Sequence, residues 1–519
     1  MARSSIPYGA ILRGGLQVAQ FVNGINSAET VNQITPPPDP MAGFATLPDL
    51  GQFAMRDGAF YLGQIHNDHG ASFAAGVADD RHVFIKAGSR AGKGLTLGIP
   101  NALTWQGPFF AIDPKGEIAS IAALRRATPE AVKGTGSSVR HHLGQPVAVL
   151  DPLGQVRGPA RAFRVDYNPL VDIDLTKGGG VRVIHALSSA IVKPDAGNGA
   201  HFSESAETLI AGLLEAVKAH EPPERQTLTQ MRAVLLAGFD ALRGYMAEIE
   251  TAAGLAQEAV TIMDEVGSDE WGSFRTTLSR SVKWLAEPDM QSHLKASGFS
   301  LRRAVQAGGS VFVCLPPDEI SRFASWLRVI VQTVIDAKMA LGTNQKGPQM
   351  LCLLDEFPML GNFKMIEESA GYMAGYGLKL VPIIQNIGQV KNLYARNWET
   401  FLGNAGAIIA WGLNDLESEQ YISDRLGKIM VMETGVSHSV TGGFQGGAGI
   451  HKSRSERPVR FANEVHEQGA RETGRAFVIP ASGRGFTIRR QSYTAFPAGF
   501  YDAPDFITEW ERKHWNAGG

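Results

Sequence analysis

The residues most able to do chemistry lie in two short runs far apart in the chain. The first is Lys86-Ala-Gly-Ser-Arg-Ala-Gly-Lys-Gly94, which follows an apolar strand-like segment (His82 to Ile85) and opens a helix-like one. Glycines let a backbone turn tightly and bring its N–H groups against phosphate oxygens, and a lysine at the end of such a loop supplies a positive charge to the outer phosphates. Gly88, Ser89, Arg90, Ala91, Gly92, Lys93, Gly94 and Leu95 are therefore the candidate phosphate cradle, with Lys93 as its cation. Ala87 stands at the first glycine position of the general pattern, and Gly94 replaces the Ser or Thr whose hydroxyl usually contacts Mg²⁺. Thr96 is close but wrongly offset. Alone, the run also reads as a Gly-rich strand–helix turn.

The second run is Leu351-Cys-Leu-Leu-Asp-Glu356. Two adjacent carboxylates at the end of an apolar strand are costly unless paired, and a magnesium ion supplies the pairing. Asp355 would hold Mg²⁺ through a water, and Glu356 would polarise an attacking water. Read singly, this run is also a strand entering a helix N-terminus, where acids are favoured. A third strand-like run ends in Gln385-Asn386. Gln385 suits a sensor of the terminal phosphate, or a cap for the next helix. Taken together, the three runs predict an ATPase that uses ATP and Mg²⁺.

These residues need a scaffold. The chain has 519 residues, 44% of them apolar, enough for two or three domains. Its net charge of −2 does not advertise nucleic-acid binding, although a local basic lining remains compatible with it. Cys314 and Cys352 sit in apolar runs and read as buried thiols, not as a disulfide or zinc framework. No window approaches the ~20 apolar residues of a membrane span, and Met1 to Asn26 lacks the apolar core of a secretory signal. The expectation is a cytoplasmic chain, reaching a membrane only through a partner.

Short apolar runs bounded by Gly, Pro or Asp (82–85, 109–112, 147–150, 311–315, 351–354, 378–384 and 407–411) predict strands of a parallel sheet covered on both faces, with a last extended pair at 476–479 and 485–489. Between 181 and 297 the period changes to that of helices. Leu209, Ile210, Leu213, Leu214 and Val217 form one stripe; Leu228, Met231, Val234 and Leu235 a second; Phe274, Leu278, Val282 and Leu285 a third. The predicted organisation is an arm or linker over 1–75, containing Thr35-Pro-Pro-Pro-Asp-Pro40; a nucleotide-binding domain over 76–180 and 298–505; an inserted all-α domain over 181–297; and a tail over 506–519. Thr441 to Gly449 reads as a flexible glycine loop, and Arg454 to Arg460 as a charged exposed loop. His66-Asn-Asp-His69 lacks the further ligands of a metal site.

Several runs then align with a known family. Gly88 to Gly94, Ile112-Asp-Pro-Lys-Gly-Glu117, Tyr167-Asn-Pro-Leu170, Leu354-Asp-Glu-Phe-Pro-Met-Leu-Gly361, and Ala370-Gly-Tyr-Met-Ala-Gly-Tyr-Gly377 leading to Gln385 are joined by Phe401 to Asn404 and Trp411 to Asp415. In this order, over residues 75 to 505, the chain resembles the type IV secretion coupling proteins, ATPases of conjugative DNA transfer. In that family a Lys-Gly ending of the loop is common. The resemblance implies a RecA-like α/β motor with an all-α insertion, working as a homo-hexamer with nucleotide at subunit interfaces. It also implies sequence-independent DNA contact, recruitment of relaxase–DNA or effector proteins, and docking to a secretion channel at the bacterial inner membrane. An arginine from a neighbouring subunit should then approach the terminal phosphate; Arg396 and Arg425 fall in the right region, and Arg90 is a further candidate. Asp113 either supports the metal shell or caps the following helix. Family members usually carry N-terminal membrane helices, absent from this sequence, so a soluble variant is expected. The competing expectations are a nucleotide-dependent recruitment platform with little hydrolysis, or another RecA-like DNA translocase.

Overall fold

The computed structural model describes residues 44–66, 72–176, 179–192, 200–295, 298–343, 345, 347–369, 371–439, 447–502 and 506. The expected proline-rich arm, Asn67 to His69, residues 441–446 of the glycine loop and nearly all of the tail fall outside these.

The centre of the molecule is an eleven-stranded sheet in the order β2-β1-β13-β12-β9-β3-β8-β7-β4-β6-β5. The seven strands β9 (Ala405–Trp411), β3 (His82–Ala87), β8 (Leu378–Ile384), β7 (Met350–Leu354), β4 (Phe109–Ile112), β6 (Ser310–Val313) and β5 (Val147–Leu150) are parallel. Side chains alternate between two cores, as a strand's two-residue period requires: Phe84 and Phe110 enter one, Val83, Ile85, Phe109 and Ala111 the other. A sheet buried on both faces is what near-continuous apolar runs encode.

Every expected strand is present. Four more were not foreseen. β1 (Phe60–His66) and β2 (Ser72–Val77) begin in the stretch read as an arm, yet they extend the sheet: β2 pairs antiparallel with β1, β1 with β13 (Phe486–Arg489), and β13 with β12 (Arg475–Pro480). In β2 the apolar side chains Phe73 and Val77 are separated by Ala74, Ala75 and Gly76, so it carries no β-branched run. β10 (Lys428–Ser439) and β11 (Gly447–Pro458) pair only with each other, so the end of the expected glycine loop and most of the Arg454–Arg460 string are strand, not loop.

Helix α1 (Ile99–Thr104) continues a π-helical turn, Gly94–Gly98, from the glycine loop, and α2 (Glu117–Arg126) follows β4. Between β5 and β6 the described chain contains only helices: α3 (Gly180–Ile191), α4 (Ala200–His220), α5 (Leu228–Leu235), α6 (Phe239–Ala247), α7 (Leu255–Ser281), α8 (Pro288–His293) and α9 (Leu301–Gln306), with short 3₁₀ turns. Leu209, Leu213, Leu228, Met231, Phe274 and Leu278 are all buried, so the first two stripes are the apolar faces of α4 and α5, and the third begins on α7 and ends at Leu285 in the 3₁₀ turn Lys283–Ala286 that follows. They join the same core as Phe84 and Phe110, which seats the insert against one face of the sheet. Helices α10 (Ala324–Met339), α11 (Lys364–Ser369), α12 (Ile387–Tyr394), α13 (Trp398–Gly403), α14 (Leu416–Leu426) and α15 (Ala462–Gly469) complete the α/β layers.

One buried arginine fixes the helices that begin at the loop and at Glu117. Arg126, at the end of α2, donates to the carbonyls of Ala102 (2.8 Å), Trp105 (2.9 Å) and Gly107, and to Ser310 Oγ (2.7 Å) and Gln145 Oε1 (2.8 Å). Its guanidinium also covers the Phe109 ring. Removing it would leave several buried acceptors without a donor. Arg126→Ala should destabilise the fold by at least about 3 kcal/mol, read from urea unfolding; a loss below about 1 kcal/mol would show that the network is dispensable.

Candidate nucleotide site

Four adjacent parallel strands, β3, β8, β7 and β4, end at the same edge of the sheet. Their register pairs Ile85 with Ile383, Leu354 with Pro382, and Ile112 with Leu354. The residues immediately after each strand therefore meet: the loop 88–93, Gln385, Asp355-Glu356 and Asp113. Ser89 to Lys93, Gln385, Asp355, Glu356 and Asp113 line one cleft of about 580 Å³. The C-terminal edge of a parallel sheet is the usual place for a ligand, because loops there converge and helix N-termini face it.

The glycine loop is held closely. A Cβ on Gly88 would sit 2.3 Å from the Gly412 carbonyl oxygen, so a side chain there would push β3 away from the end of β9. The next turn needs positive φ at Arg90 (52°) and Gly92 (73°). The carbonyl of Ala91 accepts from the Trp411 indole (2.8 Å) and from Arg490 Nη1 (2.7 Å). Arg490 in turn donates to the Arg471 carbonyl at 2.6 Å. Trp411 and Arg490 were not singled out in the sequence as parts of this site. Trp411 lay in a family-like run without an assigned contact, and the role of Arg490 depends on a fold that returns β13 to the sheet.

Lys93 is the centre of the cleft. Its Nζ lies 2.7 Å from Glu356 Oε1 and 3.2 Å from Asp355 Oδ1, although 263 positions separate Lys93 from Glu356. The three side chains are only 12, 18 and 23% exposed for Lys93, Asp355 and Glu356 respectively. Burial pulls the Lys93 ammonium toward neutrality, but Asp355 and then Glu356 outweigh it and hold its pKa above the ordinary lysine value. Burial lifts the Asp355 carboxyl above its usual range; Lys93 opposes this and the neighbouring Glu356 adds to it. Glu356 itself has φ of 59°, rare for a residue with a side chain. Gln385 Nε2 donates 3.0 Å bonds to both Glu356 oxygens. Both are side chains of the same cleft.

The other candidates are placed less centrally. Ser89 and Arg90 are exposed at the mouth, and Leu95 is buried behind the loop. Arg425 is exposed in the last turn of α14, with no contact to Lys93. Arg396 is in the turn Ala395–Asn397, and its side chain lies outside the described set. Asp113 accepts from the Ala119 N–H at 2.8 Å, which makes it a cap of α2 as well as a wall of the cleft.

The site also suits a hard cation. Thr96 donates to the Gly92 carbonyl (3.0 Å), so its hydroxyl is committed to the backbone. At Gly94, the space where a Cβ would stand has Glu117 Oε2 3.7 Å away, so oxygen chemistry at this corner comes from Glu117. Among the described residues no group of three or more His, Cys, Asp or Glu could hold a metal alone. The carboxylates of Asp355 and Glu117, both lining the cleft, suit Mg²⁺, which takes few protein carboxylates and completes its shell with phosphate oxygens and water.

The fold and the cleft together define a candidate phosphate-loop site on a parallel sheet that carries a helical insertion. Residues 45–467 match the family described as type IV secretory system conjugative DNA transfer, and the chain belongs to it, among the type IV secretion coupling proteins. The conjugal transfer protein TraG of Agrobacterium fabrum is 25% identical over 394 residues, covering 74% of this chain and 56% of that protein. The coupling protein VirD4 of Bartonella henselae is 25% identical over 370 residues, covering 69% and 54%. The chain thus spans little more than half the length of these relatives. Among solved structures, the conjugative coupling protein TrwBΔN70 with sulphate superposes at TM-score 0.60 and 14% identity, over 82% of this chain and 90% of that one. TrwB in complex with ADP and Mg²⁺ does so at 0.58 and 14%, over 81% and 88%. These structures share the fold. Among the described residues no helix is long and apolar enough to cross a membrane.

Asp113 generates a pH prediction. Burial is the largest influence on its carboxyl and pushes it up to about 7, against an ordinary value of 3.8, despite the Ala119 N–H. A raised carboxylate pKa means that the folded state holds more protons than the unfolded one between those values, so this group's contribution to stability falls as pH rises from about 4 to 7. Asp113→Asn should therefore gain thermal stability relative to the parent across that window, compared without nucleotide or metal. A difference independent of pH would refute the shift.

Proposed function

We propose that this chain is the ATP-hydrolysing part of a coupling protein that brings DNA, as relaxase–DNA or with effector proteins, to a type IV secretion channel and drives its transfer. The observation that carries the reading is the meeting of Lys93 with Asp355 and Glu356 in one cleft. Its chemistry matches the fold shared with TrwB, a protein crystallised with ADP and Mg²⁺. The family description supplies the direction of the work, conjugative DNA transfer.

In this reading the N–H groups of the loop 88–95 and the Lys93 ammonium bind the outer phosphates. Asp355 holds the Mg²⁺ shell through water, and Glu117 supplies the oxygen that Gly94 lacks. Bound there, Mg²⁺ would neutralise developing phosphate charge. Glu356 accepts the proton of the attacking water. Gln385, bonded to both of its oxygens, fixes its orientation and reports the terminal phosphate to the strand edge. Arg396 and Arg425 are the arginines offered to a neighbouring subunit of a homo-hexamer. DNA would be held through its phosphates without base reading, and any membrane attachment at the inner membrane would be shared with a partner.

A second reading has one observation in its favour. With Gly94 in place of a hydroxyl and Thr96 bound to the loop, the chain would bind nucleotide to switch partner recruitment and turn it over little.

Turnover separates the two. The purified chain should hydrolyse ATP faster with DNA present, and Lys93→Ala should abolish it. Glu356→Gln should keep nucleotide affinity but lose roughly 10²–10⁴-fold in kcat, the usual worth of a general base. Turnover untouched by both changes would refute the motor reading, and nucleotide-controlled partner capture with negligible turnover would establish the second. Glu117→Gln should raise the Mg²⁺ concentration needed for tight nucleotide binding, measured by calorimetry, without abolishing binding; an unchanged requirement removes Glu117 from the metal shell.

A further inference from the structure

A second cavity, of about 570 Å³, lies where the end of the helical insert meets the start of α10. Four cationic side chains line it (Arg280, Lys283, Arg322 and Arg328) against one acid, Glu287. In a chain whose net charge is −2, so positive a lining is a local property of this wall.

The cations are set at different depths. Arg328 is buried and fixed: its Nε donates to the Ala190 carbonyl (2.9 Å), Nη2 to Ser325 Oγ (2.9 Å) and Nη1 to the Leu360 carbonyl (3.4 Å). Arg322 is ion-paired with Glu287 and lies 3.4 Å from Glu319. Arg280 and Lys283 are exposed at the mouth. Guanidinium and ammonium groups are the donors that oxyanions, above all phosphates, select, whereas the hydroxyls of Ser281 and Ser325 already donate to the Thr277 and Ile191 carbonyls. Trp284 is 4% exposed and its indole donates to the Ser281 carbonyl, so the lining presents no stacking face for a base. An open, base-blind, cationic wall suits a backbone that passes across it.

The cavity also shares walls with the nucleotide cleft. Pro317 and Ile320 line the cleft, while Ser321 and Arg322 of the same segment line the cavity. Arg328 reaches Leu360, at the end of the turn Phe357–Leu360 that follows Glu356, and Met359 of that turn faces the cleft.

We infer that this cavity binds the phosphodiester backbone of a nucleic-acid strand and lies one turn of chain from the acid that would activate water. The inference deepens the DNA-transfer reading and rests on it for the identity of the substrate.

The test uses the full chain without nucleotide, titrated into labelled oligothymidine and followed by fluorescence anisotropy over a series of salt concentrations. The double variant Arg280→Gln, Lys283→Gln alters only exposed side chains. It should bind about tenfold more weakly or worse, and the slope of log affinity against log salt should shrink by about 1.4, at ~0.7 for each lost contact to a single strand. Lys93→Ala should bind oligothymidine like the parent. Equal affinity and slope in parent and double variant would overturn the site while leaving ATP turnover, and so the motor reading, untouched. A parent that turns over ATP but binds no oligothymidine overturns it as well. Binding of polyglutamate lost in the double variant, with oligothymidine binding intact, would assign the wall to an acidic protein segment and overturn the proposal.

Discussion

One ammonium group holds together what the rest of the cleft could not tolerate apart. Asp355 and Glu356 are neighbours in sequence, mostly buried, and of the same charge. Desolvation, and to a lesser degree the charge of Glu356, work against the ionisation of Asp355. Lys93 answers both acids at 2.7 and 3.2 Å, so the loop end and the β7 end are mutually dependent. Remove the cation and the Asp355 carboxyl loses the charge that opposes its burial; remove the acids and burial favours a neutral lysine. Coulombic attraction at this depth is strong, but it repays desolvation only with good geometry. That geometry has to come from elsewhere in the structure.

It comes from the sheet. Strands β3, β8, β7 and β4 are neighbours in space but not in sequence, and in-register parallel pairing brings their ends level. A shift of one residue in β7 would exchange its core faces and move Asp355 and Glu356 away from Lys93. Sheet register therefore sets the distance of the ion pair, while the two apolar cores set the register. The loop needs more than register, because a glycine-rich turn has many conformations. Trp411 and Arg490 restrict it from the far side by binding the Ala91 carbonyl, and Gly88 packs directly on Gly412. The antiparallel strands β12 and β13 thus have a role in the site, since they carry Arg490 to the loop.

That division explains what could be read from the chain. Lys93, Asp355, Glu356 and Gln385 were legible because local rules mark them: glycines before a lysine, and polar residues ending apolar runs. The helical insert was legible because its stripes repeat at the helical period over Leu209 to Leu285. β1 and β2 were not, since Gly63 interrupts one and Ala74, Ala75 and Gly76 dilute the apolar signal of Phe73 and Val77 in the other; pairing of β1 with β13, and of β2 with β1, makes them strands. The hairpin β10–β11 is equally silent, because neither Lys428–Ser439 nor Gly447–Pro458 alternates strictly between apolar and polar residues. Trp411 and Arg490 contact Ala91 across 320 and 399 positions, and no local pattern encodes that.

Backbone strain adds a last constraint. Among the described residues, the non-glycine positions with positive φ are Arg90, Glu356 and Ala395. Arg90 lies in the loop, Glu356 in the acid pair, and Ala395 opens the turn that carries Arg396. Such conformations cost of order 1–3 kcal/mol each and persist only where surrounding contacts over-determine them. For Glu356 those contacts are visible: Lys93 on one carboxylate oxygen, Gln385 on both, and the buried Phe357 immediately behind. The strain at Glu356 is therefore balanced by the ion pair and by Gln385. Any ligand that draws Lys93 toward phosphate oxygens weakens one side of that balance, and the turn Phe357–Leu360, which begins at Glu356 and ends on Arg328, is the segment positioned to take up the change.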